Sequence, residues 1–135
     1  RSCGFFNTKS RYIIESMKII CAKYEGEIPA NREALMELPG VGRKIANLIL
    51  GDCFNIPAIV VDTHCLRITK HFGLSDSKNP LKTEQDLMKY IAEKEWISYG
   101  HRVVAHGRNL CTARSPKCYK CPLRCLCVTG RKNIG

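Results

Sequence analysis

No apolar run in this sequence approaches the roughly 20 residues that a membrane-spanning helix needs. No stretch has the order of a secretory signal peptide. Strand patterning is almost absent too. "NIPAIVV", residues 55–61, is the one extended apolar run, and a single strand cannot make a sheet. There is no low-complexity linker and no repeat. Acidic residues are scarce, 12 against 22 lysines and arginines, for a net charge of +10 and a pI near 9.3. Solubility alone asks for roughly 2–8 charges on a small domain. The excess points to a polyanionic partner, nucleic acid first.

What is present is a chain of 135 residues, 44% hydrophobic, enough for a real core and about the size of one ordinary domain. It opens on Arg1 rather than methionine, so a true N-terminus further upstream is expected. Nine cysteines are many for this length. Cys3, Cys21, Cys53 and Cys65 are scattered. Cys111, Cys118, Cys121, Cys125 and Cys127 crowd the end. A disulfide scaffold would spread its cysteines through a loop-rich chain. A terminal cluster behind a helical front favours a metal site in a reducing compartment, which predicts an intracellular protein.

The expected class is all-α. "SRYIIESMKIICAKY" sets Ile13, Ile14, Met17, Ile20, Cys21 and Tyr24 on one helical face, with Ser10 as N-cap; Gly26 and Pro29 end it. Asn31 caps a short helix carrying Leu35 and Leu38. "RKIANLILGDCF" carries Ile45, Leu48 and Ile49 as its apolar stripe. Asp62 caps "THCLRITKHFG", which stops at Gly73. Thr83 and Asp86 have capping-box spacing ahead of Leu87, Met88 and Ile91. Residues 97–110 read as a further helix loosened by Gly100 and Gly107. Pro116 and Pro122 mark the tail as loop.

The chemistry gathers at three places. The first is "LPGVGRK", Leu38, Pro39, Gly40, Val41, Gly42, Arg43 and Lys44, between two helices. Gly40 and Gly42 permit positive φ and close approach of a phosphate to the backbone. The helix starting there turns its free N–H groups and positive dipole end towards the turn, which makes an anion site. On the turn alone, a plain connection between packed helices is the commoner outcome; the adjoining cations shift the balance. Lys44 stands at the helix end where a cation is disfavoured. The dipole and Arg43 work against its ammonium form, which is what an amine nucleophile requires.

The second place is Asp62. A plain N-cap is the usual role for such an aspartate. A capped carboxylate at the edge of a basic cleft can also activate a nucleophile or stabilise a cation. His64 is given no catalytic role. The third place is the tail, Cys111-x6-Cys118-x2-Cys121-x5-Cys127 with Cys125 left over. Four thiolates in one loop can hold zinc or an iron–sulfur cluster. One Cys-x2-Cys pair rather than two suits a cubane better than a zinc ribbon, and the spacing leaves Cys125 open as an alternative to Cys127. Arg114 and Lys117, inside the first loop of that spacing, are placed to reach phosphates.

Taken in order, "LPGVGRKIAN", "VDTHCLRI", "HGRNLC" and the cysteine spacing resemble the endonuclease III branch of the helix-hairpin-helix DNA glycosylases. The resemblance spans essentially the whole chain. It implies the C-terminal portion of that fold: a helical-barrel part with the hairpin over residues 1–96, and a final helix with a [4Fe-4S] loop over 97–135. It implies a bifunctional base-excision enzyme. Such an enzyme flips a damaged pyrimidine out of duplex DNA, removes it, and cleaves at the abasic site. Lys44 matches the lysine that attacks the sugar C1′ and forms a Schiff base. Asp62 matches the aspartate that activates it. Leu38 to Gly42 match the phosphate-holding hairpin, and Cys111, Cys118, Cys121 and Cys127 the cluster ligands.

The chain departs from the family at Met36, where a glutamate often stands two residues before the hairpin leucine; Glu37 lies one step later. It also departs in lacking the family's N-terminal part, which supplies further helices and the segment that fills the hole left by the flipped base. The full-length form is expected to be monomeric. The competing readings are a non-catalytic, metal-stabilised helix-hairpin-helix DNA-binding module, an inactive fragment that binds damage without excising it, and a zinc-bound structural domain.

Overall fold

The computed structural model describes residues 3–132. Among them are seven α-helices and two short 3-10 turns, with no strand. The helices are α1 Phe6–Lys23, α2 Arg32–Met36, α3 Arg43–Phe54, α4 Thr63–Phe72, α5 Pro80–Met88, α6 Trp96–Asn109 and α7 Val128–Lys132. The 3-10 turns are Glu93–Glu95 and Cys118–Lys120.

Local chemistry sets most of the helix ends. Asn31 accepts a hydrogen bond from the Ala34 N–H at the start of α2, and Asp62 does the same for Cys65 at the start of α4. These side-chain oxygens satisfy amides the helix leaves unpaired. Asn55 and Gly73 close α3 and α4 in the left-handed region, at φ of 53° and 77°. Two expected caps are elsewhere. α1 begins at Phe6, four residues before Ser10, whose hydroxyl donates back to the Phe6 carbonyl at 2.8 Å from inside the helix. α5 is capped by Asn79 with Pro80 following, so Thr83 is a buried interior residue. An asparagine before a proline pre-set for the first helical turn outcompetes the later threonine. The tail expected as loop holds the short helix α7.

The chain divides into two compact units, residues 1–56 and 57–135. In the first, Ile20, Leu35, Leu38, Ala46 and Leu50 are buried. Arg32 Nε donates to Asn47 Oδ1 at 2.8 Å, tying α2 to α3. The expected apolar face of α1 is mostly open within this unit: Ile20 is buried, while Ile13, Ile14 and Met17 are about half exposed or more. Ile13, Met17, Ile28 and Ile45 line an apolar groove there.

In the second unit, the extended run from Pro57 to Val61 is a buried connector rather than a sheet strand. Ile59, Val61, Cys65, Ile68, Leu87 and Val103 form its core. Burying each large aliphatic of this set is worth about 1.5–3 kcal/mol. Gly107 does not loosen α6. It lets α4 approach, because a Cβ there would stand 2.5 Å from His64 Nδ1 and 3.0 Å from Ile68 Cδ1. Thr69 on α4 bonds Tyr99 on α6 at 3.3 Å.

Candidate active site and metal centre

The hairpin between α2 and α3 is built inward from leucine. Leu35 and Leu38 are buried, and Leu38 N–H bonds the Leu35 carbonyl while Val41 N–H bonds the Leu38 carbonyl at 3.0 Å. Ser16 Oγ on α1 donates to the Pro39 carbonyl at 3.2 Å, holding the outer side of the turn. The two glycines do different things, which corrects the expectation that both exploit positive φ. Gly40 has φ of 77°, and a Cβ there would lie 2.5 Å from the Tyr12 ring. Gly42 is in ordinary extended backbone, with nothing within 4 Å of where its Cβ would stand. Gly40 therefore makes the turn, and Gly42 keeps its surface bare.

Gly42 is the N-cap of α3 and offers no side chain, so the amides opening α3 receive no side-chain cap. That leaves donors and a positive dipole end for an anion. Lys44 is exposed in the first turn of α3 and forms no ion pair or side-chain hydrogen bond among the described residues. Its amine is therefore unengaged. Glu37 is not in that position: its carboxylate pairs with Lys23 and accepts from the Tyr24 hydroxyl at 3.4 Å. The Lys23 ammonium holds it below the usual carboxylate range.

Asp62, in the second unit, is half-buried at the head of α4. Its Oδ1 takes the Cys65 N–H at 2.7 Å. Oδ2 has no protein partner among the described residues, so one oxygen serves the cap and the other is available for chemistry. Cys65, one turn on, is a structural thiol. Burial pushes it up to about 11, far from any reactive thiolate.

Cys111, Cys118, Cys121 and Cys127 line one cavity, with Phe72, His106, Leu110 and Pro116 among its walls. Cys125 is exposed and is not on that lining. No cysteine is in a disulfide. The Gly130 N–H donates to Cys127 Sγ at 3.3 Å, and His106 Nε2 is 3.9 Å from Cys121 Sγ. Burial pushes the Cys111 thiol up, with the Arg67 guanidinium opposing it. Among the described residues, no three His, Cys, Asp or Glu side chains draw together around a single-ion position. Four sulfurs ringing a partly apolar cavity, one already receiving a backbone N–H, suit a multi-iron cluster.

Arg114 is exposed on the Cys111–Cys118 loop. Lys117 Nζ donates to the Asn109 carbonyl at 3.3 Å, helping to close α6. Arg67 was not anticipated. It sits mid-helix on α4, where sequence spacing marks only a solvated cation, yet it donates to the Cys111 carbonyl at 2.8 Å. The one hint is its position three residues after His64, on the same face of the helix.

Residues 1–93 match the HhH-GPD superfamily base excision DNA repair protein family. Over 133 residues the chain is 41% identical to endonuclease III of Bacillus subtilis, covering 98% of this chain and 61% of that protein. Endonuclease III of Rickettsia felis is 40% identical over 128 residues, 94% of this chain and 60% of that one. A solved structure of a trapped endonuclease III–DNA covalent intermediate superposes with a TM-score of 0.93 at 43% identity, over 100% of this chain and 64% of that chain. The chain thus spans about three fifths of the length of the curated relatives it matches.

Proposed function

The chain belongs to the HhH-GPD superfamily of base excision DNA repair proteins, and from that premise we propose that it is a bifunctional DNA glycosylase and abasic-site lyase. The substrate is duplex DNA with an oxidised pyrimidine or an abasic site, and the protein works as a monomer on intracellular DNA. The observation that carries this reading is Lys44: an exposed, unengaged amine in the first turn of a helix whose opening amides await an anion. A relative trapped as a covalent intermediate with DNA supports covalent chemistry of this kind.

In the proposed reaction, a backbone phosphate is held by the amides that open α3 at Gly42 and beyond, with Gly40 making the turn. Leu38 and Pro39 supply only the buried footing and Val41 the turn. Such contacts fix register and carry no sequence information. The family resemblance gives Asp62 the role of freeing the Lys44 amine of its proton. The free amine attacks C1′, the glycosidic C–N bond breaks, and the base leaves. The proton passes on to the departing base, and the Asp62 carboxylate, ionised again, offsets the positive charge left on the sugar. The C1′–O4′ bond then opens with a proton to O4′, giving a Schiff base that acidifies C2′, and loss of the C2′ proton expels the 3′ phosphate by β-elimination. Glu37 is an unsuitable shuttle here, since Lys23 already engages it.

Cys111, Cys118, Cys121 and Cys127 would hold a [4Fe-4S] cluster, as their shared cavity supports. When bound, the cluster supplies a four-point tether for the segment 97–135, which lies wholly within the second unit. That tether sets Arg114 and Lys117 where they add charge along the DNA. DNA affinity is therefore predicted to fall steeply with salt, and loss of either cation to flatten the log–log slope by about one.

The reading is tested by incubating the protein with duplexes bearing an oxidised pyrimidine or an abasic site. Strand cleavage ending in a 3′ unsaturated aldehyde is expected. Binding without base release or cleavage, by this chain and by a family-length form alike, would make it a non-catalytic module instead.

A further inference from the structure

Arg67 is a cation without a matching anion. Its Nη2 donates to the Cys111 carbonyl at 2.8 Å and to the Gly107 carbonyl at 3.4 Å, and it lies 3.2 Å from His64 Nδ1. Its Nε is buried with no partner. Two of these contacts are to backbone carbonyls, and no carboxylate among the described residues pairs with it. A guanidinium drawn partly out of water without a carboxylate partner is poorly compensated. A compensating charge is available only next door. The carbonyl it grips belongs to Cys111, whose sulfur faces the four-thiol cavity.

The seat is specific. Gly107 supplies a carbonyl to Arg67, and its missing Cβ makes room for the His64 ring that packs there. One side chain of α4 thus spans the end of α6 and the first residue of the cysteine segment. All these contacts converge on Nη2, which the rigid guanidinium plane holds in place; a lysine has no such plane to set its nitrogen there.

We propose that Arg67 is a positioning residue for the cluster: its planar guanidinium fixes the Cys111 turn onto α4, and its charge balances the coordinated thiolates. The inference rests on the cluster reading above. Outer-shell partners of this kind typically cost 10–100-fold in metal affinity when removed. Charge and hydrogen bonding around the sulfurs also set the reduction potential.

The test uses the 135-residue chain reconstituted anaerobically with iron and sulfide. Iron loss to a chelator and the cluster's midpoint potential are measured for the parent, Arg67→Gln and Arg67→Lys. Arg67→Gln should lose iron at least about tenfold faster. Its potential should fall, since removing a positive charge disfavours the added electron. Arg67→Lys should keep the parent's potential while losing iron faster, because charge is retained and the guanidinium plane is not. Parental iron retention and potential in Arg67→Gln would overturn the inference even if its melting temperature dropped, leaving Arg67 a helix-closing residue only. If Arg67→Gln does not fold, parental iron retention in Arg67→Lys overturns the role of the guanidinium plane. A parent that takes up no iron and sulfide, or binds zinc at the cavity instead, would sink the cluster reading itself and this inference with it.

Discussion

Replacing Gly40 by alanine is predicted to cost the first unit about 2–5 kcal/mol. Two terms add. The left-handed backbone at φ of 77° costs a non-glycine residue about 1–2 kcal/mol. The new Cβ would also meet Tyr12 at 2.5 Å from Cδ2, 3.0 Å from Cγ and 3.1 Å from Cβ. Those last two atoms are close to the α1 backbone, so the ring cannot simply swing aside. Overpacking of this kind costs about 1–3 kcal/mol. The assay is urea unfolding of the parent, Gly40→Ala and Gly42→Ala. Gly42→Ala meets open space at an ordinary φ, so only a cap preference below about 1 kcal/mol is at stake. Its effect should appear instead in weaker DNA binding, since a methyl would stand where a phosphate approaches. Adding Tyr12→Ala to Gly40→Ala should relieve most of the steric term, leaving the backbone one and the 3.1 Å contact with Cβ. If Gly40→Ala unfolds at the parent's midpoint, or if Gly42→Ala is the more destabilised of the two, the division of labour between these glycines is wrong.

Three further outcomes follow from the same structure. Cys127→Ser should lower the iron bound per chain after reconstitution while Cys125→Ser should not, because Cys127 lines the cavity and Cys125 is exposed. Asn79→Ala should lose about 1 kcal/mol in thermal unfolding as a lost N-cap, whereas Ser10→Ala, inside α1, should be neutral or slightly stabilising. The Asp86 carboxyl is held well below its ordinary range by the Lys82 ammonium, then the Ser75 hydroxyl and Lys89. A depressed folded value gives stability that is present above the ordinary pKa of about 3.9 and lost as pH falls through the folded one. Asp86→Asn should therefore flatten the acid limb of the stability curve below about pH 4.

How much of this could be read from residues alone depends on how local each cause is. Asn31, Asp62 and Gly73 act within one helical turn, and their roles are visible in the sequence. Ser10 and Thr83 have equally good local credentials and are not caps, because Phe6 and the Asn79–Pro80 pair start their helices earlier. The difference between Gly40 and Gly42 lies in Tyr12, 28 residues away, which no local pattern reports. Spacing left Cys125 and Cys127 equivalent; burial against α4 separates them, with Cys127 Sγ donating to the His71 carbonyl at 3.2 Å. Arg67 was illegible for the same reason. Its partners lie 40 and 44 residues on, at the end of another helix. Lys44 was conspicuous in the sequence because it is in the wrong place for a cation.

The central claim is that Lys44 is the nucleophile that meets abasic-site DNA. Borohydride trapping tests it most directly. Incubated with duplex carrying an abasic site and reduced, the protein should form a covalent adduct that migrates as one protein on one DNA strand, and Lys44→Ala should form none while still binding the duplex. An adduct that persists in Lys44→Ala would contradict the account, as would the absence of any adduct from this chain and from a family-length form of it.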